Sequence, residues 1–451
     1  MLDRDYCQTL IEQVIHAGKN LSTDGIEVHV YGSNIATSRF ANNSMTQNQA
    51  PSRIKLAVRV IKDERQARMS TEDLSKEGLE TLVKDTALAA SLLEREKDLP
   101  SLYDGAGADK DIVSISCYEA ATAQLNPRER CERVGQMISI AKENGLSAAG
   151  TYSTGALVSA LGNSNGLFAY HRESSVEASI TMVASGSTGW AKAHASDANQ
   201  IDLSVLSARA ASKALGSDNA RDIAPGIYTV ILEPAATLDL LGFLWPDLAA
   251  TSHIDKLSCL LNKVGKKVFA DRLTVYDDVR HPLQVGAKFD DEGVLRQSVC
   301  LIENGVVKNL VYGRRAALKL NAKPTGHGLG EPNAYGETPR NIVMSGGTKT
   351  VDDLIASSDH AILLTRVWYV REINPATKLI TGMTRDGTFM VKDGKIAHAL
   401  KNLRFNVSVV DMLSNILELG KSVRTAAEES YPAVVPALKV GNFHFSSNTM
   451  F

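Results

Sequence analysis

The strongest constraint on this chain is the way its hydrophobic period changes along its length. Residues 5–18 carry Leu10, Ile11, Val14 and Ile15 at helical spacing. From Ile26 the period drops to two, with Ile26, Val28 and Val30 alternating with Glu27, His29 and Tyr31. A second alternation (Ile54, Leu56, Val58, Val60) follows the polar stretch 39–44. Ser70 or Thr71 then caps a long amphipathic helix predicted to reach about Arg95. Residues 99–111, with Pro100, Gly105 and Gly107, read as a linker. Asn126-Pro127-Arg128-Glu129 starts a helix that runs to about Asn144 and stops at Gly145. Asn165-Gly166 sits between two apolar runs and signals a hairpin. A further helix over 203–215 leads to a boundary at 216–219. Beyond Pro225-Gly226, strand-like runs recur at 227–232, 298–302, 306–312, 342–345, 361–365, 388–392 and 395–401.

Helical and strand blocks are therefore segregated rather than regularly alternating, which predicts an α+β fold. The expected division is an α/β N-terminal subdomain over 1–98, a linker over 99–111 and a central α+β subdomain over 112–218 packing on the first. A mostly antiparallel, β-rich C-terminal domain follows over 222–451.

Composition removes several function classes. Of 451 residues, 44% are hydrophobic and 22% charged, enough apolar material to exclude a disordered chain. Lys+Arg number 49 against 51 Asp+Glu, so the basic excess of a phosphate-gripping protein is missing and no direct nucleic-acid contact is expected. The five cysteines form no C-x-x-C pair and read as reduced thiols. The opening residues are acidic where a signal peptide would be basic. The most apolar stretch, 231–250, is broken by Glu233, Pro234, Asp239, Pro246 and Asp247 and cannot span a bilayer. A cytoplasmic protein without membrane contact is expected.

None of the ten histidines is followed by glutamate, so neither H-E-x-x-H nor its longer variant occurs. His253 and Asp255 with Cys259 approach ligand spacing, or are a surface histidine beside a buried thiol. The loop Gly326-His327-Gly328-Leu329-Gly330 lacks the Lys-Ser/Thr ending of a P-loop. No Gly-x-Ser-x-Gly stands between a strand and a helix, so a serine hydrolase has little support. Asp290-Asp291-Glu292-Gly293 either binds a cation or substrate, or is a turn with a solvated acidic face. Arg371 and Glu372, ahead of Asn374-Pro375, either present charge to a groove or end a strand at an Asn-Pro turn.

Several segments in order resemble the TldD/PmbA (TldD/TldE) peptidase family, whose members are also labelled modulators of DNA gyrase. They are Arg39-Phe40-Ala41-Asn42-Asn43, Gly162-Asn163-Ser164-Asn165-Gly166, Pro225-Gly226 with the strand to Glu233-Pro234, Phe289-Asp290-Asp291-Glu292-Gly293, Glu303-Asn304-Gly305, Gly326-His327 and Asn374-Pro375. The resemblance implies a two-subunit assembly that cleaves unstructured peptides. One subunit type carries zinc on H-E-x-x-x-H, completed by a cysteine near its C-terminus. Here Glu233, Pro234 and Leu238 occupy those motif positions, and the last cysteine is Cys300, so the chain resembles the PmbA/TldE type.

The resemblance implies no cofactor in this chain, zinc in a TldD-like partner, and an unfolded peptide as substrate. A homodimer is left open. So are a self-sufficient peptidase and a non-enzymatic modulator of gyrase or toxin–antitoxin components. Asp290, Asp291, Glu292, His327, Arg371 and Asn374 are the candidate substrate-binding residues, and the peptide-facing surface is expected within 226–410.

Overall fold

The computed structural model describes residues 2–105 and 111–449. The first half is built on one sheet of nine strands: β1 (Gly25–Ser33), β2 (Ala36–Ala41), β3 (Ser44–Gln49), β4 (Arg53–Lys62), β5 (Arg65–Thr71), β6 (Asp111–Cys117), β7 (Ser147–Asn163), β8 (Phe168–Val183) and β9 (Thr188–Ala195). Its spine is the β7–β8 hairpin, paired from Ser147↔Val183 to Gly162↔Phe168 around the predicted Asn165-Gly166 turn. Each spine strand divides its free side between two neighbours. β7 pairs β2 through 150–154 and β1 through 157–163, while β8 pairs β6 near its start and β9 near its end. The stretches expected as separate subdomains on either side of 99–111 thus share one sheet. Part of that linker, 106–110, lies outside the described residues, and Asp111 already belongs to β6.

Helices Arg4–Gly18 and Lys76–Leu92 pack Cys7, Leu10, Val14, Leu79 and Val83 against Val28, Val30, Val58 and Val60. Helices Pro127–Glu143 and Leu203–Gly216 pack Val134, Met137, Leu206 and Ala210 against Val176, Ala178 and Ile180. Burying each such aliphatic side chain is worth about 1.5–3 kcal/mol. The Asn126 cap is a full capping box with Glu129, as the local sequence predicts.

Two local expectations are corrected, and one unassigned stretch gains an element. Ser70 and Thr71 end β5, and the helix expected from them is instead capped by Ser75, whose Oγ accepts from the Gly78 amide at 3.1 Å. The polar stretch 39–44, left without an element by the sequence pattern, forms the β2–β3 hairpin, turning at Asn42 and Asn43 with positive φ. Glu27 and His29 are as buried as Val28 between them, because the loop carrying Asp291 reaches the second face of β1.

In the second half, β10 (Gly226–Leu232) is followed by a helical region containing Pro234–Leu241 and then by β11 (Val275–Asp277), β12 (Val299–Glu303), β13 (Val306–Val307) and β14 (Ile342–Met344). β15 (His360–Asn374) and β16 (Leu379–Lys392) form a long hairpin, followed by β17 (Lys395–Ala399), β18 (Leu403–Ser408), β19 (Ile416–Leu419), β20 (Val423–Thr425), β21 (Ala433–Val435) and β22 (Leu438–Asn448). β10, β15, β16, β18 and β22 close into a ring, since β10 pairs both β15 and β22. Phe405, Phe443 and Phe445 are wholly buried there.

A second sheet of six strands runs β13-β12-β11-β14-β21-β20. Most pairings are antiparallel, with β10–β15 and β14–β21 parallel. The strand expected over 306–312 shrinks to two residues, whereas those at 361–365 and 388–392 are fragments of much longer strands. Among the described residues no helix is long and apolar enough to cross a membrane.

Candidate functional site

A cleft of about 820 Å³ opens between the first sheet and the loops of the second half. Strand alternation supplies one wall: His171, Glu173 and Ser175 project from the same face of β8, with Ser159 from β7 and Tyr31 from β1. The opposite wall comes from the 285–296, 327–329 and 338–341 stretches and from Arg424 on β20. The cleft is therefore not confined to the β-rich half.

A buried polar seam holds the halves together beside it. Arg59 donates to Gln66 at 2.8 Å, Gln66 donates to Glu331 at 3.0 Å, and Arg315 donates to the other Glu331 oxygen at 2.9 Å. Arg68 and Arg59 share the Glu27 carboxylate at 2.9 and 3.7 Å.

Four of the sequence candidates come together here. Asp291 and His327 line the cleft, and Asp290 and Glu292 lie beneath it. The reading of 290–293 as a solvated turn is overturned: it is a turn, but Asp290 and Glu292 are 1% and 3% exposed. Asp290 accepts the Glu292 and Val294 amides on one oxygen and the Gly328 amide on the other, tying two loops together. Glu292 accepts the Arg314 amide at 2.9 Å, while its other oxygen has no hydrogen-bond partner. Burial pushes both carboxyls up, and the Asp290 charge adds to the rise at Glu292. Gly293 stands at φ +82°, where a Cβ would fall 2.3 Å from Leu167, so only glycine fits this turn.

His327 is anchored on both ring nitrogens, Nε2 at 3.0 Å from Asp277 and Nδ1 at 2.9 Å from Thr325 Oγ1. Burial works to raise the Asp277 pKa, but the His327 contact, Arg296 and the Arg340 amide outweigh it and leave it lowered. The structure does not bring Arg371 and Asn374 to the cleft. They stand on the β15–β16 hairpin, where Arg371 lies 3.6 Å from Glu429 and Asn374 accepts the Ala376 amide to close the Asn-Pro turn.

Sequence reasoning missed the other wall. His171 Nε2 lies 2.8 Å from Glu173, and His194 Nε2 lies 3.2 Å from Ser175 Oγ. Arg424 donates to His194 Nδ1 at 3.4 Å. A guanidinium can only donate, so Nδ1 accepts and Nε2 holds the ring proton, which points at the serine. That tautomer cannot take a proton from Ser175, as a nucleophilic dyad requires. Burial, then the Arg424 charge, lowers the His194 pKa to about 4, keeping the ring neutral. The only sequence signal for this wall is the period-two placement of 171, 173 and 175.

At the positions that the resemblance aligns with the partner type's zinc motif, no side chain is free to bind a metal. Glu233 precedes the first turn of helix Pro234–Leu241 and is held by Lys213 at 2.6 Å; Pro234 opens the helix, and Leu238 is wholly buried in the core. Nearby polar groups are also committed. Asp239 accepts the Glu428 and Glu429 amides, Asp247 pairs with Lys378 at 2.5 Å, and His253 donates to the Asp247 carbonyl. Burial pushes the Cys259 thiol up to about 12, away from the thiolate a metal needs. Among the described residues no three His, Cys, Asp or Glu side chains converge to hold a metal ion.

Comparison with known proteins places this architecture. Residues 113–217 match the PmbA/TldA metallopeptidase central domain, and 225–447 match the PmbA/TldA metallopeptidase C-terminal domain. A metalloprotease of Methanothermobacter thermautotrophicus is 26% identical over 283 residues, 59% of this chain and 60% of that protein. The chain thus spans about 60% of the length of two archaeal relatives it matches. A metalloprotease PmbA homolog of Haemophilus influenzae is 21% identical over 393 residues, 82% of this chain and 81% of the relative. The crystal structure of TldE from Thermococcus kodakarensis superimposes with a TM-score of 0.83 at 20% identity, covering 97% of this chain and all of that one, and so shares the fold. With both domains matched in order, this chain belongs to the TldD/PmbA family.

Proposed function

We propose that this chain is a PmbA/TldE-like subunit of a peptide-processing assembly, one that shapes a substrate path while a zinc-bearing, TldD-like partner supplies the metal chemistry. The observation that carries this reading is the fate of Glu233, Pro234 and Leu238: an interdomain ion pair, a helix start and a core side chain. A hydrolase that activates water through zinc needs at least three donors and an open position. These residues supply none, yet the family's framework around them is complete enough to close the five-stranded ring and form the cleft. The His194 tautomer also argues against the self-sufficient reading through Ser175.

The cleft suits an unfolded chain. It has two walls, and β20, the end strand of the six-stranded sheet, contributes Arg424 to it. The test is reconstitution: this chain and a relative bearing an intact H-E-x-x-x-H motif, each alone and then mixed, on an unstructured peptide. Cleavage by the mixture that exceeds either chain alone, and that a chelator abolishes, is the expected result. Equal cleavage by the zinc-bearing chain alone overturns the proposal.

A further inference from the structure

The cleft carries a charge imbalance that the proposed role does not by itself explain. Five cationic side chains line it: Arg53, Lys55, Arg296, Arg340 and Arg424. Among the described residues, three carboxylates, Glu72, Glu173 and Asp291, stand against them. The arginines on the C-terminal wall are moreover under-used as donors. Among the described residues, Arg296 Nη1 is shielded from solvent and has no hydrogen-bond partner, and the same is true of Arg424 Nε.

The carboxylates nearest Arg296 are held by other groups: Asp277 Oδ1 lies 3.0 Å from His327 Nε2 and its Oδ2 accepts the Arg340 and Asn341 amides, while both Asp290 oxygens accept backbone amides. Arg340 is exposed at the mouth, its guanidinium 4.7 Å over the Tyr431 ring. Arg424 is fixed by Gln284 at 2.7 Å on one terminal nitrogen and by His194 Nδ1 at 3.4 Å on the other, each of which keeps a second N–H. Buried donors left without acceptors cost folding free energy, and a fixed guanidinium is matched in shape by a two-oxygen anion.

We propose that Arg296, Arg340 and Arg424 form a carboxylate-binding subsite in the cleft, and that its ligand is the C-terminal carboxylate of a peptide. Two features favour this ligand over a free phosphate. Glu173 and Asp291 share the cleft and repel a dianion more than a monoanion. The volume of about 820 Å³ exceeds what a lone oxyanion needs, and Val285, Phe289 and Leu329 offer apolar surface to the residues preceding the terminus. The subsite would set which end of an extended chain enters and in which direction it lies. The inference rests on the peptide-handling role proposed above and adds an address within it.

The test uses the full chain and an unstructured hexapeptide labelled at its N-terminus, read by fluorescence anisotropy at low salt. The peptide is offered with a free C-terminal carboxylate and with an amidated one. The free acid should bind about tenfold or more tighter than the amide, the scale of charge-assisted hydrogen bonds. Arg340→Gln, an exposed position whose variant should keep the parent melting curve, should remove most of that preference while leaving the affinity for the amide unchanged.

Equal binding of acid and amide overturns the subsite and leaves the peptide-handling role standing. Equal weakening of both by Arg340→Gln also overturns the subsite. Displacement of the acid peptide by micromolar inorganic phosphate reassigns the site to phosphate and overturns the proposed ligand. Failure of both peptides to bind defeats the subsite together with the role on which it rests.

Discussion

The Lys213 ammonium lies 2.6 Å from the Glu233 carboxylate, joining helix Leu203–Gly216 of the first half to the start of helix Pro234–Leu241 in the second. Both side chains are largely enclosed, at 11% and 15% exposure. Burial lowers the Lys213 pKa, and Glu233 works against that fall. Glu233, which the resemblance aligns with the first zinc-motif position, is thus a bolt between the two halves, with no freedom to become a ligand.

Glu233→His should therefore gain no zinc and should lose stability. Removing one partner of an enclosed ion pair costs about 3 kcal/mol. A double-mutant cycle with Lys213→Met and Glu233→Leu should show the paired change costing less than the sum of the single ones. Metal analysis of purified Glu233→His checks the first part; one zinc per chain would refute it.

Glu292 predicts a pH dependence of opposite sign to that of an ordinary salt-bridged carboxylate. Its pKa is raised in the folded chain, so between the normal glutamate range and the raised value the folded state holds a proton that the unfolded state has released. Stability then falls as pH climbs through that interval. Glu292→Gln keeps an acceptor for the Arg314 amide but removes the charge. Its melting temperature should exceed the parent's more at about pH 9 than at about pH 5. A difference independent of pH would show that Glu292 is not held protonated.

Ser175→Ala separates the two enzyme readings. If His194 presents its proton to the serine, the hydroxyl is not a nucleophile, and chelator-sensitive cleavage by the reconstituted assembly should stay within about twofold of the parent. A loss of about a thousandfold would restore the serine as a catalytic group.

What was legible in the sequence was local. The Asn126–Glu129 capping box and the Asn165-Gly166 turn each involve contacts a few residues apart, and both appear where the pattern places them. The family framework was legible for the same reason, as short ordered segments. The burial of Glu27 and His29 was not, because alternation reports one covered face and gives no notice of a loop arriving from some 260 positions later to cover the other, as Asp291 does beside His29. Asp290 and Glu292 misled in the same way: a run of acids reads as solvated until Gly328 and Arg314 are seen donating to them. The cleft draws on β1, β4, β7, β8, β9, β20 and several loops, so no single window of sequence contains it. Arg371 and Asn374 were drawn in by chemistry alone, and the strand hairpin carries them elsewhere.

The division of β7 between two neighbours on one side, with β8 along the other, bears on how such a chain can tolerate length changes. One residue inserted between 150 and 163 would shift the register toward β8 and toward β2 or β1 at once, and every side chain beyond it would exchange the helix-covered face for the cleft face. Val158 and Ala160 would be driven out of the helix-packed core, and Leu157 and Ser159 would leave the cleft wall. Indels in this lineage should therefore collect at loop tips such as the 164–166 turn, while the 150–163 segment keeps its residue count, because a bulge there would misalign several partners in a single step.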